Sequence, residues 1–305
     1  MTTLTRRLLG LGAGALGGSV EIVLKTALQA AEADGATVEL VRLDELDLSS
    51  PAGAPVSDDL WWLWERLMEA DGIIVAAPII SRTVPARLKL VIDRLLGPNA
   101  DRAIVERLLA ARAAGHEPVV PFRLDERVLR PRVAGLIAVG GSLTRQWKGL
   151  ALPVMHSLTF SMQTAVVDQI VIAGSGTPQS VVLDDDALAR AAQLGRTVAA
   201  QLGRDFDEAD YQGPPGACPL CHLSVVELKG RAVQCATCGA NGRLADDFSV
   251  EWTDLDSSVI TLVERRAHYD EILETAQRHA KVRDEINDKA AACAAYDPLV
   301  RPSSH

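Results

Sequence analysis

The sequence is poor in aromatic residues and has no excess of positive charge. Aromatic residues make up only 4% of the 305 residues although 48% are hydrophobic, so the core has to be built mainly from Ala, Leu and Val. The formal net charge is -9 at pH 7. Because proteins that bind nucleic acids generally present a basic face, we expect neither DNA nor RNA to be the main partner.

Long apolar runs are also missing. A helix that crosses a bilayer needs about 20 consecutive apolar residues, and no stretch of this sequence approaches that length. Residues 1–18, with Arg6 and Arg7 before an apolar stretch, superficially imitate a signal peptide. Glycines interrupt that stretch, however, and an amphipathic helix follows it directly. We therefore expect a cytoplasmic protein that does not bind membranes.

Cysteines are few, and their spacing is informative. Four of the five form two Cys-x-x-Cys pairs, separated by 13 residues that contain a hairpin-like segment with a turn at Lys229 and Gly230. Two such pairs place four thiolates around one tetrahedral ion. The predicted ligands of this zinc ribbon are Cys218, Cys221, Cys235 and Cys238. A rubredoxin-like iron site with the same ligands is the alternative.

A closed site of four thiolates predicts a structural role, since a zinc ion held in this way has no open coordination position. His222 lies next to one pair but is not needed as a ligand. Cys293 has no neighbouring Cys or His and is interpreted as an inert thiol. His156 is interpreted as an interior residue rather than a proton donor, and His268 and His279 as surface residues.

Over the first two-thirds of the chain, apolar runs alternate with amphipathic segments. The pattern predicts a strand at 8–12, a helix at 19–33 and a strand at 37–43. Such a βαβ unit is right-handed and gives parallel strands. Further strands are predicted at 72–77, 133–139 and 166–173, with helices from about 60, from about 87 and at 185–202. The predicted fold is a doubly wound α/β domain with five parallel strands.

Three loops at the carboxyl ends of the predicted strands are candidate binding loops, because ligands bind at this edge of an open parallel sheet. The Gly-rich loop 12–19 can hold a mononucleotide phosphate through backbone N–H groups and a helix N-terminus. Its candidate residues are Gly14, Gly17, Gly18 and Ser19. The second loop runs from Pro78 to Pro85, and the third begins at Gly140, Gly141 and Ser142.

Residues 71–94 resemble the flavodoxin-like NAD(P)H-dependent FMN reductase family. The resemblance extends over about residues 7–203 and is carried by the motifs Ala77-Pro78, Thr83-Val84-Pro85, Leu88-Lys89 and Ile92-Asp93-Arg94. The loop departs from the family pattern, which usually has an aromatic residue and an Asn there. This chain has Ile79, Ile80, Ser81 and Arg82 instead.

The resemblance implies that FMN is bound and that NAD(P)H is the co-substrate. It implies that loop 12–19 holds the FMN phosphate and that Gly140, Gly141 and Ser142 approach the pyrimidine edge of the flavin. Trp147 would either cover the ring or pack in the core. The residues implied to line the ring are Pro78, Ile79, Ile80, Ser81, Arg82 and Thr83.

The implied activity is transfer of hydride from NAD(P)H through FMN to a small organic acceptor, such as free flavin, a quinone, or an unsaturated or nitro compound. A non-catalytic binding or assembly module that has lost FMN is the alternative. Because a second subunit commonly completes the flavin pocket in this family, the resemblance also implies a homodimer or homotetramer.

The predicted organisation has three parts. Residues 1–210 form the FMN-binding domain, 211–250 the zinc ribbon and 251–305 a helical tail that packs on the first domain or on a second subunit. Residues 97–132 are an Arg-rich insertion in the first domain. We interpret this insertion as a solvated arm or dimer contact, with a lid over the substrate as the alternative.

Overall fold

Five parallel strands form the first sheet of the computed structural model, which describes residues 6–49, 58–116 and 123–300. Their spatial order is β2-β1-β3-β4-β5, the order of the flavodoxin-like doubly wound fold. The predicted fold class is therefore confirmed. The strands are β1 (Arg7–Gly12), β2 (Thr37–Arg42), β3 (Gly72–Pro78), β4 (Val133–Val139) and β5 (Ala165–Ile172).

Helices cover both faces of this sheet. In β3, Ile73 and Val75 belong to one apolar cluster, while Ile74 and Ala76 belong to the other. Alternate side chains point to opposite faces, so a strand covered on both faces needs the unbroken apolar run seen in the sequence. The helices are α1 (Ser19–Ala33), α2 (Leu60–Glu69), α3 (Ala86–Leu95), α4 (Arg102–Ala113), α5 (Ala151–Phe160) and α6 (Asp185–Gln201).

The described residues of the Arg-rich segment, 97–116 and 123–132, do not form a solvated arm, and that interpretation was wrong for them. Val105 on α4 and Val128 are fully buried in the main core. Arg132 is also fully buried, and its guanidinium donates to the carbonyl oxygens of Met68 (3.0 Å) and Arg127 (2.8 Å). The segment therefore packs as part of the domain. Sequence patterning failed here because these arginines are bonded internally.

A second sheet of four antiparallel strands follows, in the order β6-β7-β8-β9. The predicted hairpin corresponds to β6 (Val226–Lys229) and β7 (Ala232–Cys235). The strands β8 (Asn241–Leu244) and β9 (Val250–Asp254) were not predicted. Since β9 pairs with β8, this small sheet continues past the boundary predicted at residue 250.

Two helices end the described chain, α7 (Leu262–Ala280) and α8 (Arg283–Ala294). Arg265 on α7 is buried, pairs with Asp101 and donates to the carbonyl oxygen of Phe160. The tail thus packs on the first domain, which was one of the two predicted alternatives. No helix of the described residues combines the length and the apolar character that a membrane span requires.

Candidate functional site

A pocket of about 280 Å³ opens at the carboxyl edge of the first sheet, between the loops that follow β3 and β4. Its volume is at the small end of the range for ligand sites. None of the described residues of segment 97–132 is among its lining residues. The structure brings together Ile79, Ser81, Arg82, Gly140, Gly141, Ser142, Trp147 and Lys148. Lys148 was not predicted, although its position next to Trp147 was a usable signal.

The β3–α3 loop is held in an unusual backbone conformation. Ile80 and Thr83 exchange two backbone hydrogen bonds of 2.8 and 3.0 Å, and the two residues between them have positive φ angles of 47° at Ser81 and 75° at Arg82. Non-glycine residues rarely adopt such angles, and the strain they carry is concentrated at functional sites. Ser81 and Arg82, at the tip of this turn, line the pocket, whereas the predicted Pro78, Ile80 and Thr83 are not among its described lining residues.

Arg82 also connects the two loops, because its Nε donates to the carbonyl oxygen of Gln146 at 2.8 Å. Trp147 is 57% exposed and Ile80 is 52% exposed. Trp147 is therefore not packed in the core, and of the two predicted roles only the one at the pocket is compatible with its position. Apolar surface is thus available at the pocket mouth to a flat ligand.

Glycines at the end of β4 form a bare pocket floor. A Cβ on Gly140 would lie 2.9 Å from Cδ1 of Ile79, and a Cβ on Gly141 would lie 2.8 Å from Cα of Gly176. At Gly141 the obstacle is backbone, so a side chain does not fit there without moving the chain, and at Gly140 the Ile79 side chain would have to shift. The turn is fixed by hydrogen bonds from Gly140 N–H to the Ile172 carbonyl (2.8 Å) and from Ser175 N–H to the Gly140 carbonyl (3.1 Å). A ligand can therefore approach the backbone closely.

The loop between β1 and α1 uses two of its predicted donor groups internally. Gly18 N–H donates to the Ala15 carbonyl at 3.0 Å, and Gly17 N–H donates to Oε2 of Glu21 at 2.7 Å. Gly17 has a φ of 68°, a conformation that glycine adopts at little cost. Gly14 lies against Val20. The N–H groups at the start of α1 remain available to an anion.

Ser19 provides a direct test of whether a phosphate fits this loop. Its Oγ is buried and has no hydrogen-bond partner among the described residues. It lies in the first turn of a 15-residue helix, where unpaired N–H groups and the helix dipole attract anions. A phosphate monoester, such as that of FMN, would satisfy this hydroxyl. The residues present therefore fit the group.

Glu21 brings a negative charge close to the same loop, and two cations neutralise it. Its carboxylate lies 2.8 Å from Nη2 of Arg42 and 2.6 Å from Nζ of Lys25. The hydrogen bond from Arg42 is the main cause that lowers the pKa of Glu21 to about 2. Glu21 therefore stays ionised and bonded to Gly17. Sequence reasoning missed this contact because nothing in the glycine pattern marks the fourth residue after Gly17 as its partner.

A second candidate site lies in the C-terminal module, where the four predicted cysteines meet. Their sulfur atoms all lie within 4.8 Å of one another, and the Sγ–Sγ distances are 3.6 Å for Cys218–Cys238 and 3.4 Å for Cys221–Cys235. A tetrahedral ion with metal–sulfur bonds of about 2.3 Å needs sulfur–sulfur distances of about 3.8 Å. The cluster therefore fits one metal ion and the zinc-ribbon interpretation.

Neighbouring histidines do not take part in this cluster. The ring of His222 stacks on Tyr211 with centroids 3.6 Å apart. His156 is buried, and its Nε2 lies 2.8 Å from Oε1 of Gln169. The Gln169 amide donates in turn to the Cys221 carbonyl at 2.8 Å. Burial lowers the pKa of His156 to about 4, so this residue is neutral and links the two parts of the chain.

Comparisons with known proteins agree with this arrangement. The model of the NADPH-dependent FMN reductase family matches residues 7–177. A flavone synthase of Aspergillus candidus is 39% identical over 282 residues, which are 85% of this chain and 85% of that protein. An iron-sulfur flavoprotein of Methanocaldococcus jannaschii is 25% identical over 197 residues, covering 60% of this chain and 89% of that protein.

Among solved structures, a flavone reductase superposes with a TM-score of 0.81 and 27% sequence identity, covering 97% of this chain and 100% of that one. The superposition therefore includes both sheets of this chain and the segments that connect them. Since the family model spans more than half of the sequence, and since its match contains the Gly-rich loop and both pocket loops, the chain belongs to the NADPH-dependent FMN reductase family.

Proposed function

We propose that this enzyme transfers hydride from NAD(P)H through bound FMN to the conjugated carbon–carbon double bond of a flat aromatic ketone, of which a flavone is the test case. When FMN is bound, it supplies the chemistry that takes hydride from a nicotinamide and passes it to an acceptor. Family membership and the unpaired Ser19 hydroxyl both favour an enzyme over a non-catalytic module.

The exposed apolar surface at the pocket mouth carries this proposal. Trp147, which lines the pocket, is 57% exposed, and Ile80 and Leu143, which belong to the two loops beside it, are 52% and 76% exposed. Flat aromatic molecules gain most from such a surface. Two relatives that cover most of this chain are named as a flavone synthase and a flavone reductase, which supports a flavone as the acceptor.

The proposed reaction balances without another reactant. Hydride adds to the carbon β to the ketone, a proton adds to the α carbon, and NAD(P)H is oxidised to NAD(P)⁺. The lining residues that the structure describes include neither a carboxylate nor an imidazole, and we therefore assign the proton to water at the open mouth. The task of Gly140, Gly141 and Ser142 is to leave the backbone accessible, and that of Trp147 is to position the acceptor.

The test is an anaerobic spectroscopic titration of the FMN-loaded protein. NADH or NADPH is expected to bleach the oxidised flavin band, and added flavone is expected to restore it while forming a product two hydrogen atoms heavier, detected by mass spectrometry. Reoxidation by a quinone or a nitroaromatic compound with no flavone product would contradict the choice of acceptor. Absence of bleaching with either nucleotide would contradict the oxidoreductase proposal itself.

A variant sharpens the test of the acceptor surface. Trp147→Ala is expected to lower kcat/KM for flavone about 10-fold, because an aromatic contact is lost, without reducing the FMN content. Trp62→Ala is the matched control, since Trp62 is 49% exposed on α2 and lies outside the pocket lining. Equal losses in the two variants would show that Trp147 does not position the acceptor.

For the four-cysteine cluster we propose a structural zinc ion, because a closed site of four thiolates leaves no position for a substrate. Elemental analysis of the purified protein distinguishes it from iron. Zinc in stoichiometric amount, with no iron–thiolate absorption band, is the expected result. A red protein with iron in its place would overturn the assignment.

A further inference from the structure

A small recess lies where the first domain meets the module that holds the four cysteines. It offers about 20 Å³ to the centre of a water molecule, and a buried water needs about 10–15 Å³ by that measure. Leu220 of the four-cysteine module and Ile260, before α7, contribute to its walls together with residues of α5 and of the turn between α5 and β5. The recess shares none of its described lining residues with the pocket at the edge of the first sheet.

Three residues of this recess have a polar atom without a partner. Nδ1 of His156, Oε1 of Gln163 and Oγ1 of Thr164 are buried and have no hydrogen-bond partner among the described residues. The three residues are between 1% and 6% exposed, and all of them line the recess. Buried polar atoms are nearly always bonded, either within the protein or to an ordered water. Gln163 also has a φ of 54°, and such strained residues cluster at ligand-binding positions.

The bonds that these residues already make define what the recess requires. The Gln169 amide donates to a carbonyl of the module at 2.8 Å, so its Oε1 accepts the proton on Nε2 of His156. Because burial lowers the pKa of His156 to about 4, the ring is neutral and its Nδ1 is an acceptor. The Gln163 amide donates to the Ile260 carbonyl at 2.7 Å, which leaves its Oε1 as a second acceptor. The Thr164 hydroxyl is able to donate.

A water molecule meets these requirements, since it donates two hydrogen bonds and also accepts. None of the described lining residues is charged at neutral pH, and an ion buried there without a counter-ion would be costly. We propose that one water molecule binds in this recess, where it donates to Nδ1 of His156 and Oε1 of Gln163 and accepts from Oγ1 of Thr164. The site is separate from the flavin pocket, and its existence does not depend on the proposed function.

This water completes a hydrogen-bonded path whose two ends lie on the four-cysteine module. In order, the path consists of the Ile260 carbonyl, Gln163, the water, His156, Gln169 and the Cys221 carbonyl. Cys221 is a predicted metal ligand, and Ile260 packs in the same apolar cluster as the four cysteines. The water therefore helps to hold the metal-binding module on the first domain.

Crystallography of the metal-loaded protein tests the site directly. One isolated peak of electron density is expected within hydrogen-bonding distance of the unpaired atoms of His156, Gln163 and Thr164. Absence of a peak, or continuous density that only a larger ligand can explain, would overturn the proposal.

The substitution Thr164→Val changes stability in opposite directions with and without the water. Valine has nearly the shape of threonine but no hydroxyl, so a bound water would lose one of its partners. The equilibrium constant for unfolding in urea is then expected to rise about 5- to 10-fold. A variant as stable as the wild type, or more stable, would show that the hydroxyl has no partner in the folded protein, and it would overturn the proposal. Thr37→Val, at the exposed start of β2, is the control and is expected to change the constant less than about twofold.

Transfer of the bound metal to a chelator measures whether the water holds the module in place. Release is expected to be faster from Thr164→Val than from the wild type or Thr37→Val, because a module that is held less firmly opens more often. An unchanged rate of release from Thr164→Val would overturn the bridging role.

Discussion

The four-cysteine module and the pocket edge of the first sheet are two sites built by different means. In the four-cysteine module, side chains form the site, and all four cysteines are at most 1% exposed. At the pocket edge, Gly140 and Gly141 leave the backbone bare, and the side chains of Ile80 and Trp147 are about half exposed. A site made of side chains can be identified from residue spacing, whereas a site made of backbone depends on conformation.

The largest expected effect is the loss of bound metal and of folding in the four-cysteine module. Cys218→Ser removes one of four thiolates, so the protein is expected to lose most of its bound metal and the small sheet is expected to unfold, because metal binding and folding are coupled in such modules. Metal content and thermal unfolding are the measurements. The flavin spectrum is expected to persist, since none of the described residues that line the pocket belongs to the group packed around the cysteines.

Cys293→Ser is the matched control, because this cysteine is exposed on α8 and is not part of the cluster. Its metal content and melting temperature are expected to equal those of the wild type. Loss of flavin from Cys218→Ser would show that the two sites depend on each other, which contradicts their description as separately built sites.

Gly18→Asp tests the backbone site. Gly18 is the N-cap residue of α1, where Asp stabilises a helix, but here its carboxylate would compete with the phosphate. We expect FMN affinity to fall about 100-fold or more, measured by flavin fluorescence titration, because two like charges would share one anion site. Gly97→Asp, beyond the far end of α3, is the control. Undiminished FMN affinity in Gly18→Asp would show that the phosphate binds elsewhere.

His156, between the two sites, makes the stability of the protein depend on pH. Its pKa in the folded state is about 4 because of burial, below the value of about 6.5 for an unfolded chain. The unfolded state therefore binds the proton more readily, and stability is lost as the pH falls from about 6.5 to about 4. The loss amounts to about 3 kcal/mol at most.

Urea unfolding at pH 7 and pH 4.5 measures this effect. His156→Asn is expected to be less stable at pH 7 but to lose less stability on acidification than the wild type. Protonation of the metal-binding thiols also destabilises both proteins in acid, so the difference between the two proteins isolates the contribution of His156. An identical loss in both would show that His156 does not contribute.

The smallest expected change in FMN affinity comes from two substitutions of Glu21, which distinguish the role of its charge from that of its hydrogen bond to Gly17. Glu21→Gln keeps an oxygen that accepts from Gly17 N–H, and we expect FMN affinity to change less than about threefold. Glu21→Ala removes that acceptor and leaves a partly buried N–H group unpaired, which is expected to weaken FMN binding about 5- to 10-fold. Equal affinities in the two variants would show that the loop does not need this hydrogen bond.

Patterning alone determined the five strands of the first sheet and the helices α1, α2, α3 and α6, because the period of apolar residues reflects which faces are buried. The helices α4 and α5 were not predicted. It also determined the four cysteines, since metal ligation requires particular atoms at particular spacings. The strands β8 and β9 were missed because they are short and half exposed. Such strands show no apolar alternation.

Only the tertiary structure decided the rest. The burial of Arg132, the contact of Arg265 with Asp101 and the bond between Glu21 and Gly17 each join residues whose pairing no local pattern encodes. The positive φ angles of Ser81 and Arg82 likewise persist only because the surrounding packing holds them. Residue identity thus fixed which chemical groups are available, and long-range packing fixed which of them remain free to bind a ligand.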